Sequence, residues 1–330
     1  MAADAPQLEA RVTSWPMKAP FVIHGYRWEQ MDVVTVHLTR GIETGRGEGA
    51  PLFYEHQEAD ALCAQLQALT PDEITLFEAD RAALEHLLTG ARNALDAAFI
   101  DLAAKESGRT AFEMLGLDAP AALNGLATVI LASPEDMAAQ ALALKDIPIL
   151  KLKLGGDKDL AAARAVRSAR PDATLVTDVN CGWTVSQLEA ALPVLNQLGF
   201  AMIEQPLAPK DDAVLKGLNS PIPLCADESC RTLSDIAAVS DRYDMINIKL
   251  DKCGGLTAAL EMATRAKEMG LDIMIGNMLG SSLAMAPAFL LAQQAMYADL
   301  DGPLYLMQDC ANGLQFSSGL VFPPEPQLWG

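Results

Sequence analysis

The sequence predicts a protein of the α/β class, in which a small N-terminal α+β domain is followed by a barrel of alternating strands and helices. Its 330 residues are enough for roughly two domains, or for one large barrel with an appendage. Residues 1 to about 118 place strand-like runs before helical segments, which is typical of an α+β domain. From about residue 122, short apolar runs alternate with helix-length segments every 20–30 residues or so, which predicts βα units around a parallel sheet.

The N-terminal domain is predicted from the order of its elements. Thr35–Leu38 lies among β-branched residues and Gly41–Gly49 is rich in glycine, so we expect a strand followed by a turn. Helical segments follow, for example at Glu58–Leu69 and Arg92–Ala104. Pro71 stands directly before two acidic residues, which marks a helix start because acids are stabilised near the positive end of the helix dipole.

The barrel is predicted from seven apolar runs, each of strand length. Seven or eight βα units in about 185 residues fit a closed barrel whose last strand ends at Ala298–Leu304. An open doubly wound sheet is the alternative, but the Gly-rich dinucleotide fingerprint of that fold is absent. We therefore expect an N-terminal domain over residues 1–118, a barrel over 119–305 and a tail over 306–330 that packs back on the first domain. The seven runs are Leu126–Leu131, Ile147–Leu154, Thr174–Val179, Phe200–Ile203, Ile222–Cys225, Met245–Leu250 and Ile273–Ile275.

Composition and charge argue against several classes of protein. Hydrophobic residues make up 51% of the chain, which is globular rather than disordered composition. The formal net charge of −19 repels phosphate backbones, so no nucleic-acid partner is expected. Polar residues and glycines interrupt the uncharged stretch Ile273–Ala298, so a strand, a loop and a buried helix explain it better than a membrane span. The six cysteines form no CxxC pair and no signal peptide is visible, so we expect reduced thiols in a cytoplasmic protein.

Two lysines interrupt the apolar run that predicts the second barrel strand. Lys151 and Lys153 stand at alternate positions, so both side chains face the same side of the strand while the flanking leucines face the helices. In barrel enzymes the chemistry lies at the C-terminal ends of the strands. Two ammonium groups in a barrel mouth repel each other, so this pair needs acidic partners.

Those partners follow on the next three predicted strands. Asp178, Glu204 and Asp227 each come directly after an apolar run, and they are 26 and 23 residues apart, one βα unit each time. Consecutive barrel strands are neighbours, so the three carboxylates converge and need a cation. All four histidines lie in the first domain, which argues against zinc. We therefore expect one Mg²⁺ per site, held by these carboxylates.

A third lysine completes a set of residues that can move a proton. Lys249 ends the following strand, nearly across the barrel from Lys153. A metal-bound carboxylate between them has its α-carbon flanked by two bases, whose pKa we expect burial and neighbouring positive charge to lower. One lysine then removes a proton from one face and the other returns a proton to the opposite face, while the metal stabilises the developing charge. Taken singly, each residue is also explained by a salt bridge at a loop end; the ordered set favours catalysis.

This order of residues resembles the enolase superfamily, and within it the muconate-lactonising-like subgroup. The resemblance covers nearly the whole chain and implies a modified (β/α)7β TIM-like barrel with an N-terminal α+β capping domain. It also implies that Lys153 and Lys249 are the two acid/bases, that Lys151 assists at the metal-bound carboxylate, and that the three carboxylates bind Mg²⁺. The segments that carry it are Lys151–Lys153, Asp178–Asn180, Glu204–Pro206, Ala226–Ser229 and Asn247–Gly255.

One further motif is similar to that of the dipeptide epimerases. Asp299 and Asp301 stand two residues apart at the last strand end, and paired carboxylates suit a cation with several donors. In that family the pair binds the α-ammonium group of the substrate; a solvated acidic turn is the alternative. Through Met278, Asp299–Pro303 and Leu314–Phe316 the sequence is most similar to the L-Ala-D/L-Glu epimerases. This resemblance implies 1,1-proton transfer at the α-carbon of the C-terminal residue of a dipeptide, with L-Ala-D/L-Glu as the expected substrate.

Departures from the family pattern concern substrate specificity. Thr128 and Asn277 stand at strand ends that contact substrate in the family, although they are also explained as hydrogen-bonded loop residues, and Asn277 stands where a smaller residue is expected. Family specificity comes largely from two mobile cap loops, expected here near Met17–Trp28 and Pro51–His56. Arg27 is the candidate for the arginine that binds a glutamate side chain, at an altered spacing. Other dipeptides, N-acylamino acid racemase, o-succinylbenzoate synthase or cycloisomerase activity, and a non-catalytic dipeptide-binding role therefore stay open; a homo-oligomer is compatible with the sequence.

Overall fold

The N-terminal part of the chain folds as an antiparallel sheet that carries helices. The computed structural model describes residues 5–330. A long hairpin pairs with a third strand, so the sheet order is the chain order. The elements are β1 (Gln7–Ile23), β2 (Tyr26–Arg40), β3 (Glu43–Gly49), α1 (Ala59–Gln67), α2 (Pro71–Ala79), α3 (Thr89–Ser107) and α4 (Ala111–Met114), with a 3₁₀ turn over Phe53–Glu55 before α1.

The glycine-rich stretch that was expected to be a turn is a strand. β3 lies so close to α3 that a Cβ on Gly45 would come within 2.1 Å of the Ala98 carbonyl oxygen, and a Cβ on Gly47 within 2.0 Å of that of Ala94. These glycines therefore allow a helix to pack on the sheet, which is the other use of glycine inside a strand. The predicted turn over Gly41–Gly49 is wrong for this reason, and the turn itself spans only residues 41–42.

Eight parallel strands form the barrel, and their order in the sheet is their order along the chain. Within the described residues, no backbone ladder joins the first and last of the eight; instead, the Asp301 carboxylate accepts a hydrogen bond from the Thr128 backbone N–H at 2.7 Å across this gap. The strands are β5 (Leu126–Val129), β6 (Ile149–Lys153), β7 (Thr174–Asp178), β8 (Phe200–Glu204), β9 (Leu224–Ala226), β10 (Met245–Lys249), β11 (Asp272–Gly276) and β12 (Tyr297–Ala298).

Helices follow most of the barrel strands and cover the outside of the barrel. The predicted last strand end, Ala298–Leu304, is only partly strand, because Leu304 lies in a short helix. Side-chain caps fix where some of the others begin: the Ser133 and Thr184 hydroxyls each accept a backbone N–H of the first turn. The helices are α5 (Pro134–Ala143), α6 (Asp159–Ala169), α7 (Val185–Gln197), α8 (Ile236–Val239), α9 (Leu250–Cys253), α10 (Leu256–Glu268), α11 (Ser282–Ala292) and α12 (Gly302–Tyr305).

The C-terminal tail contacts both parts of the molecule. Strand β13 (Phe316–Ser317) pairs antiparallel with β14 (Leu320–Val321), and β14 pairs antiparallel with β4 (Leu123–Asn124), just before the first barrel strand. The chain then reaches α3, where the buried Trp329 indole donates a hydrogen bond to the Ala97 carbonyl oxygen at 3.0 Å. The tail therefore joins the barrel to the N-terminal helices.

The uncharged stretch Ile273–Ala298 is a strand, a loop and a buried helix, as expected. It contains most of β11 and the whole of α11, whose residues are almost all buried. Among residues 5–330, none of the helices combines the length and the hydropathy needed to cross a bilayer. All six cysteines are unpaired.

A buried carboxylate joins the N-terminal sheet to the barrel. Glu48, on β3, accepts hydrogen bonds from the Ser281 backbone N–H and hydroxyl, both at 2.7 Å, and from the Trp15 indole at 3.1 Å. Burial raises the pKa of Glu48 to about 7, although these three hydrogen bonds oppose the effect of burial. The contact is thus expected to depend on pH.

We expect the free energy of unfolding to rise by roughly 1 kcal/mol from Glu48 alone when the pH is lowered from 8 to 6. The carboxyl has an ordinary pKa of 4.5 in the unfolded chain and about 7 in the folded one. Between these values the folded state holds a proton that the unfolded state lacks, so acidification favours folding. Urea unfolding at both pH values measures this effect. The change in the free energy of unfolding between pH 8 and pH 6 should be smaller in Glu48→Gln. It should be unaltered in Glu43→Gln, which changes a carboxylate elsewhere on β3.

Candidate active site

Most of the residues predicted at the strand ends line one cavity at the C-terminal ends of the barrel strands, and the three predicted metal ligands are buried against its lysines. The cavity and its opening to solvent together span about 480 Å³ of empty space, and residues of the N-terminal hairpin and the Phe53–Glu55 turn bound the cavity on the other side. Six of the ten predicted site residues are spread over β5, β6, β7, β8 and β10, and the other four lie in the loops after β9, β11 and β12. Those that line the cavity wall directly are Thr128, Lys151, Lys153, Lys249, Asn277, Asp299 and Asp301.

The alternation predicted for the second barrel strand is present. Lys151 and Lys153 are 1% and 7% exposed and face the cavity, while Leu150 and Leu152 are fully buried among the apolar residues under the helices. Strand geometry requires this division, because neighbouring side chains point to opposite faces. The sequence of β6 therefore directs both ammonium groups into the site.

Three buried carboxylates converge between the lysines. One carboxylate oxygen from each of Asp178, Glu204 and Asp227 lies within 4.8 Å of the others. The backbone register explains the convergence, since Asp178 is directly opposite Glu204 and Glu204 is opposite the residue two before Asp227. A set of three carboxylates without histidine is the donor set that a hard divalent cation such as Mg²⁺ prefers. The residues thus fit the predicted metal.

Burial and neighbouring charges shift the pKa values of the carboxylates in this cluster in opposite directions. Burial raises the pKa of Glu204 to about 7, and the neighbouring Asp178 adds to the rise. Burial acts on Asp178 too, but Lys153 and Lys151 outweigh it and lower the pKa of Asp178 to about 2. Lys151 Nζ lies 2.7 Å from Glu204 and 2.8 Å from Asp299, and despite burial these carboxylates hold the pKa of Lys151 well above its usual value.

Lys153 and Lys249 approach the cavity from opposite sides. They end strands β6 and β10, which are separated by the three strands that lead to the carboxylates. Lys153 Nζ lies 2.6 Å from Asp178, and Lys249 Nζ lies 2.7 Å from Asp227. Burial acts to lower the pKa of Lys249, but the carboxylates of Asp227 and Glu204 raise it. The expected lowering is therefore not found for Lys249, because carboxylates rather than cations dominate its surroundings.

The two carboxylates after β12 lie together at a third side of the cavity. Asp299 Oδ2 accepts a hydrogen bond from Lys151, and Asp299 Oδ1 is buried without a hydrogen-bond partner among the described residues. Burial raises the pKa of Asp301 to about 7, and the charge of Asp299 adds to this rise. This pair has an unused acceptor and excess negative charge, so it can bind a cationic group.

Thr128 and Asn277 differ in what their polar groups do. Thr128 lines the cavity, and its backbone binds Asp301 and Tyr305. Both polar atoms of the Asn277 side chain are used within the protein: the amide donates to the Asp299 carbonyl oxygen and its oxygen accepts from the Leu279 N–H. Asn277 therefore fixes the backbone that carries Asp299.

The cavity wall contributed by the N-terminal part is apolar. The stretch expected as a mobile loop, Met17–Trp28, is the end of the β1–β2 hairpin and turns at Gly25. Arg27 lies outside the cavity lining, pairs with Glu29 at 3.4 Å and is 58% exposed. The N-terminal part contributes Phe21, Ile23, Trp28 and Phe53 to the apolar lining, and the loop after β11 adds Met278 and Leu279.

Two further residues, which no sequence pattern singled out as site residues, hold the charged groups of the site in place. Lys252, on α9, is 1% exposed, and its Nζ lies within hydrogen-bond distance of Asp227 Oδ1, at 2.6 Å, and of three backbone carbonyl oxygens. Asn180 has a left-handed φ of 46° and accepts a hydrogen bond from Lys153 at 3.3 Å. A signal was present in both cases, because each lies within three residues of a predicted site residue. The sequence gives no direction for either side chain.

In this barrel one lysine lies on each side of a buried carboxylate triad. Such an arrangement defines an enzyme site suited to proton transfer. The chain belongs to the enolase superfamily, since residues 135–325 match the family described as "Enolase C-terminal domain-like". This match confirms the predicted family, and the barrel and the N-terminal antiparallel sheet are present in the fold.

Comparisons along the whole chain narrow the class to isomerases. The chain is 41% identical to the L-Ala-D/L-Glu epimerase of Escherichia coli, over 93% of this chain and 96% of that one. It is 39% identical to an N-acetyl-D-glutamate racemase of Pseudoalteromonas, over 87% and 91%.

Solved structures show the same similarity to dipeptide epimerases of the enolase superfamily. An enolase family member from Agrobacterium tumefaciens with bound sodium and L-Ala-L-Glu is 40% identical, with a TM-score of 0.93 over 98% of this chain and all of that one. A dipeptide epimerase from Enterococcus faecalis, in complex with Mg and L-Leu-L-Tyr, is 26% identical, with a TM-score of 0.88 over 98% of each chain.

Proposed function

We propose that this chain is a Mg²⁺-dependent dipeptide epimerase that moves a proton at the α-carbon of the C-terminal residue, with L-Ala-D/L-Glu as its expected substrate. The observation that carries the proposal is the arrangement of three groups at one cavity: Lys153 and Lys249 on opposite sides, the carboxylate triad buried against these two lysines, and Asp299 with its unused acceptor at the third side. The relatives named epimerases and racemases support the same reaction class.

Asp178, Glu204 and Asp227 would hold the cation, because their oxygens lie within 4.8 Å of one another. When bound, Mg²⁺ supplies positive charge that stabilises negative charge developing on the substrate carboxylate. Lys151, whose ammonium group already lies among these carboxylates, would donate to the same substrate group. The triad and Lys151 together fix the orientation of the α-carbon.

The two remaining lysines perform the proton transfer in this proposal. A substrate α-carbon held between Lys153 and Lys249 has one base on each face. The neutral amine of one lysine takes the α-proton, and the ammonium group of the other donates a proton to the opposite face, which inverts the centre. For the reverse reaction the roles exchange, so the same pair serves both epimers.

The acid pair distinguishes a dipeptide from an N-acylated amino acid. Asp299 and Asp301 would bind the α-ammonium group, which an N-acylamino acid lacks. Without that ammonium group, a second buried negative charge at this place is unfavourable, as the raised pKa of Asp301 indicates. Because one relative is named N-acetyl-D-glutamate racemase, N-acylamino acids are the second substrate class to be tested.

Deuterium exchange tests the proposal directly. The protein is incubated in D₂O with Mg²⁺ and a panel of L-Ala dipeptides that includes L-Ala-L-Glu, and N-acetyl-L-glutamate is tested in parallel. Proton NMR should show loss of the α-proton signal of the C-terminal residue and appearance of the second epimer. The proposal fails if no dipeptide of a broad panel exchanges. Exchange confined to N-acetyl-glutamate would assign the chain to the N-acylamino acid racemases.

Replacing Asp301 with asparagine is expected to lower kcat/KM for dipeptides by roughly tenfold to a hundredfold. The substitution removes one charge from the ammonium site, and a charged hydrogen bond of this kind is worth about 1.5–3 kcal/mol. Any turnover of N-acetyl-glutamate should be unaffected or improved. Steady-state kinetics on both substrates measures the ratio, with Asp309→Asn as the control. An equal loss on both substrates would mean that Asp301 supports the fold rather than the ammonium group.

The partner is a small-molecule dipeptide, as in the structures of the relatives, and the division into residues 1–118, 119–305 and 306–330 remains our prediction. We also propose a cytoplasmic location, which the six unpaired cysteines favour because thiols persist in reducing compartments.

A further inference from the structure

Gln205, directly after the metal-site residue Glu204, has an uncommon backbone conformation and no contact with solvent. Its φ is 34°, in the left-handed region that non-glycine residues rarely adopt, and its exposure is 0%. Such a conformation persists only when the surrounding contacts hold it.

The side-chain amide of Gln205 binds the segment that carries the third carboxylate. Its oxygen accepts hydrogen bonds from the backbone N–H of Asp227 at 2.8 Å and of Ser229 at 3.0 Å. Its nitrogen lies within hydrogen-bond distance of the Leu207 carbonyl oxygen and the Ser229 hydroxyl, at 2.8 and 2.7 Å. One amide thus fixes the backbone on both sides of Glu228. One of the two residues that it holds is Asp227, the third carboxylate of the metal site.

The backbone of Gln205 connects the same strands. Its N–H donates to the Cys225 carbonyl oxygen on β9, and its carbonyl oxygen accepts from the Cys181 N–H after β7, both at 2.9 Å. A single residue therefore joins the ends of β7, β8 and β9, which lead to Asp178, Glu204 and Asp227.

A second layer of polar groups holds this amide in place. Asp212 is fully buried and accepts hydrogen bonds from the Ser229 hydroxyl at 2.6 Å and from the Tyr243 hydroxyl at 3.0 Å. The Tyr243 hydroxyl also lies 3.1 Å from the Gln205 nitrogen, and Arg242 pairs with Asp212. These hydrogen-bonded partners together fix the orientation of the Gln205 amide.

We propose that Gln205 is a positioning residue for the metal site, which sets the spacing of the three carboxylates by tying β8 to the Asp227 segment. This inference rests on the proposed function, because it assigns Gln205 a role toward the cation that the triad would bind. Partners of this kind commonly change metal affinity by 10- to 100-fold when removed.

The test compares two glutamines that bind backbone in the same way. Gln205→Met removes both ends of the amide, and Gln205→Glu keeps the acceptor for Asp227 but places an oxygen against the Leu207 carbonyl. Gln140→Met is the matched control, because the Gln140 amide binds both the N–H and the carbonyl oxygen of Ile130 after β5, which carries no metal ligand. Isothermal titration with Mg²⁺ alone gives the affinity, and thermal unfolding without metal gives the stability.

We expect Gln205→Met to weaken Mg²⁺ binding at least tenfold, Gln205→Glu to weaken it as well, and Gln140→Met to bind Mg²⁺ as the unmodified chain does at a similar loss of stability. Equal Mg²⁺ affinity in Gln205→Met and the unmodified chain would overturn the proposal. Equal weakening in Gln140→Met would overturn it as well, since general destabilisation would then suffice. Failure of the unmodified chain to bind Mg²⁺ would instead refute the metal of the proposed function, and this inference with it.

Discussion

Replacing either Lys153 or Lys249 with methionine is expected to reduce epimerisation by at least about a thousandfold while exchange persists for one epimer of the substrate. General acid–base groups contribute roughly 10²–10⁴ each, and inversion needs both lysines in every turnover. Exchange with solvent, in contrast, needs only one base on the face that carries the α-proton. The remaining lysine should therefore still exchange the epimer whose proton it faces.

The two variants should leave complementary epimers exchangeable. This pattern follows from the placement of the lysines on strands β6 and β10, on opposite sides of the cavity. Proton NMR in D₂O with each purified epimer of one dipeptide measures both rates. Lys216→Met serves as the control, because the Lys216 side chain is 70% exposed and pairs with the surface carboxylate of Asp241. If both variants exchanged the same epimer, one base would serve both faces and the two-base mechanism would be wrong.

Removal of the divalent cation is expected to lower dipeptide exchange by roughly a thousandfold or more, equivalent to about 4 kcal/mol in the barrier. The reason is electrostatic. Asp178, Glu204 and Asp227 are 0–1% exposed, and a substrate carboxylate placed among them needs positive charge beyond that of the lysines. Without the cation, Lys151 already pairs with two of these carboxylates and with Asp299, so it cannot replace the cation.

Dialysis against a chelator followed by titration with Mg²⁺ measures this effect. Activity should disappear on dialysis and return on titration, and Glu204→Gln should need a higher Mg²⁺ concentration for half-maximal recovery. Asp272→Asn is the control, because Asp272 is an exposed carboxylate at the opposite end of a barrel strand. Full activity after exhaustive chelation would exclude a role for the triad in holding a required cation.

The parts of the site that the sequence could predict are those set by strand periodicity. The alternation Lys151–Leu152–Lys153 determines which side chains face the barrel axis, and spacings of 26 and 23 residues place Asp178, Glu204 and Asp227 on neighbouring strands. These inferences need only the geometry of one strand and the order of consecutive βα units. The family comparison confirms the barrel that they assume.

Contacts between distant segments were not predictable in the same way. Glycine at Gly45 and Gly47 indicated a turn, although it permits α3 to pack on β3. The sequence offers Arg27 as the residue that binds a substrate side chain, but in the folded hairpin Arg27 pairs with Glu29 and is exposed to solvent. In each case the sequence gives the residue type, and the partner comes from another part of the fold.

By itself, the sequence determined the class of fold, the face of each charged strand residue, and hence the reaction that the set of lysines and carboxylates could perform. Only the tertiary structure decided which groups hold that set in place. Lys252 and Gln205 bind Asp227 from different strand ends, and Asn277 fixes the backbone of Asp299. The physical reason is that side-chain direction along one strand follows from local geometry, whereas a hydrogen bond between two loops depends on how all the intervening strands pack.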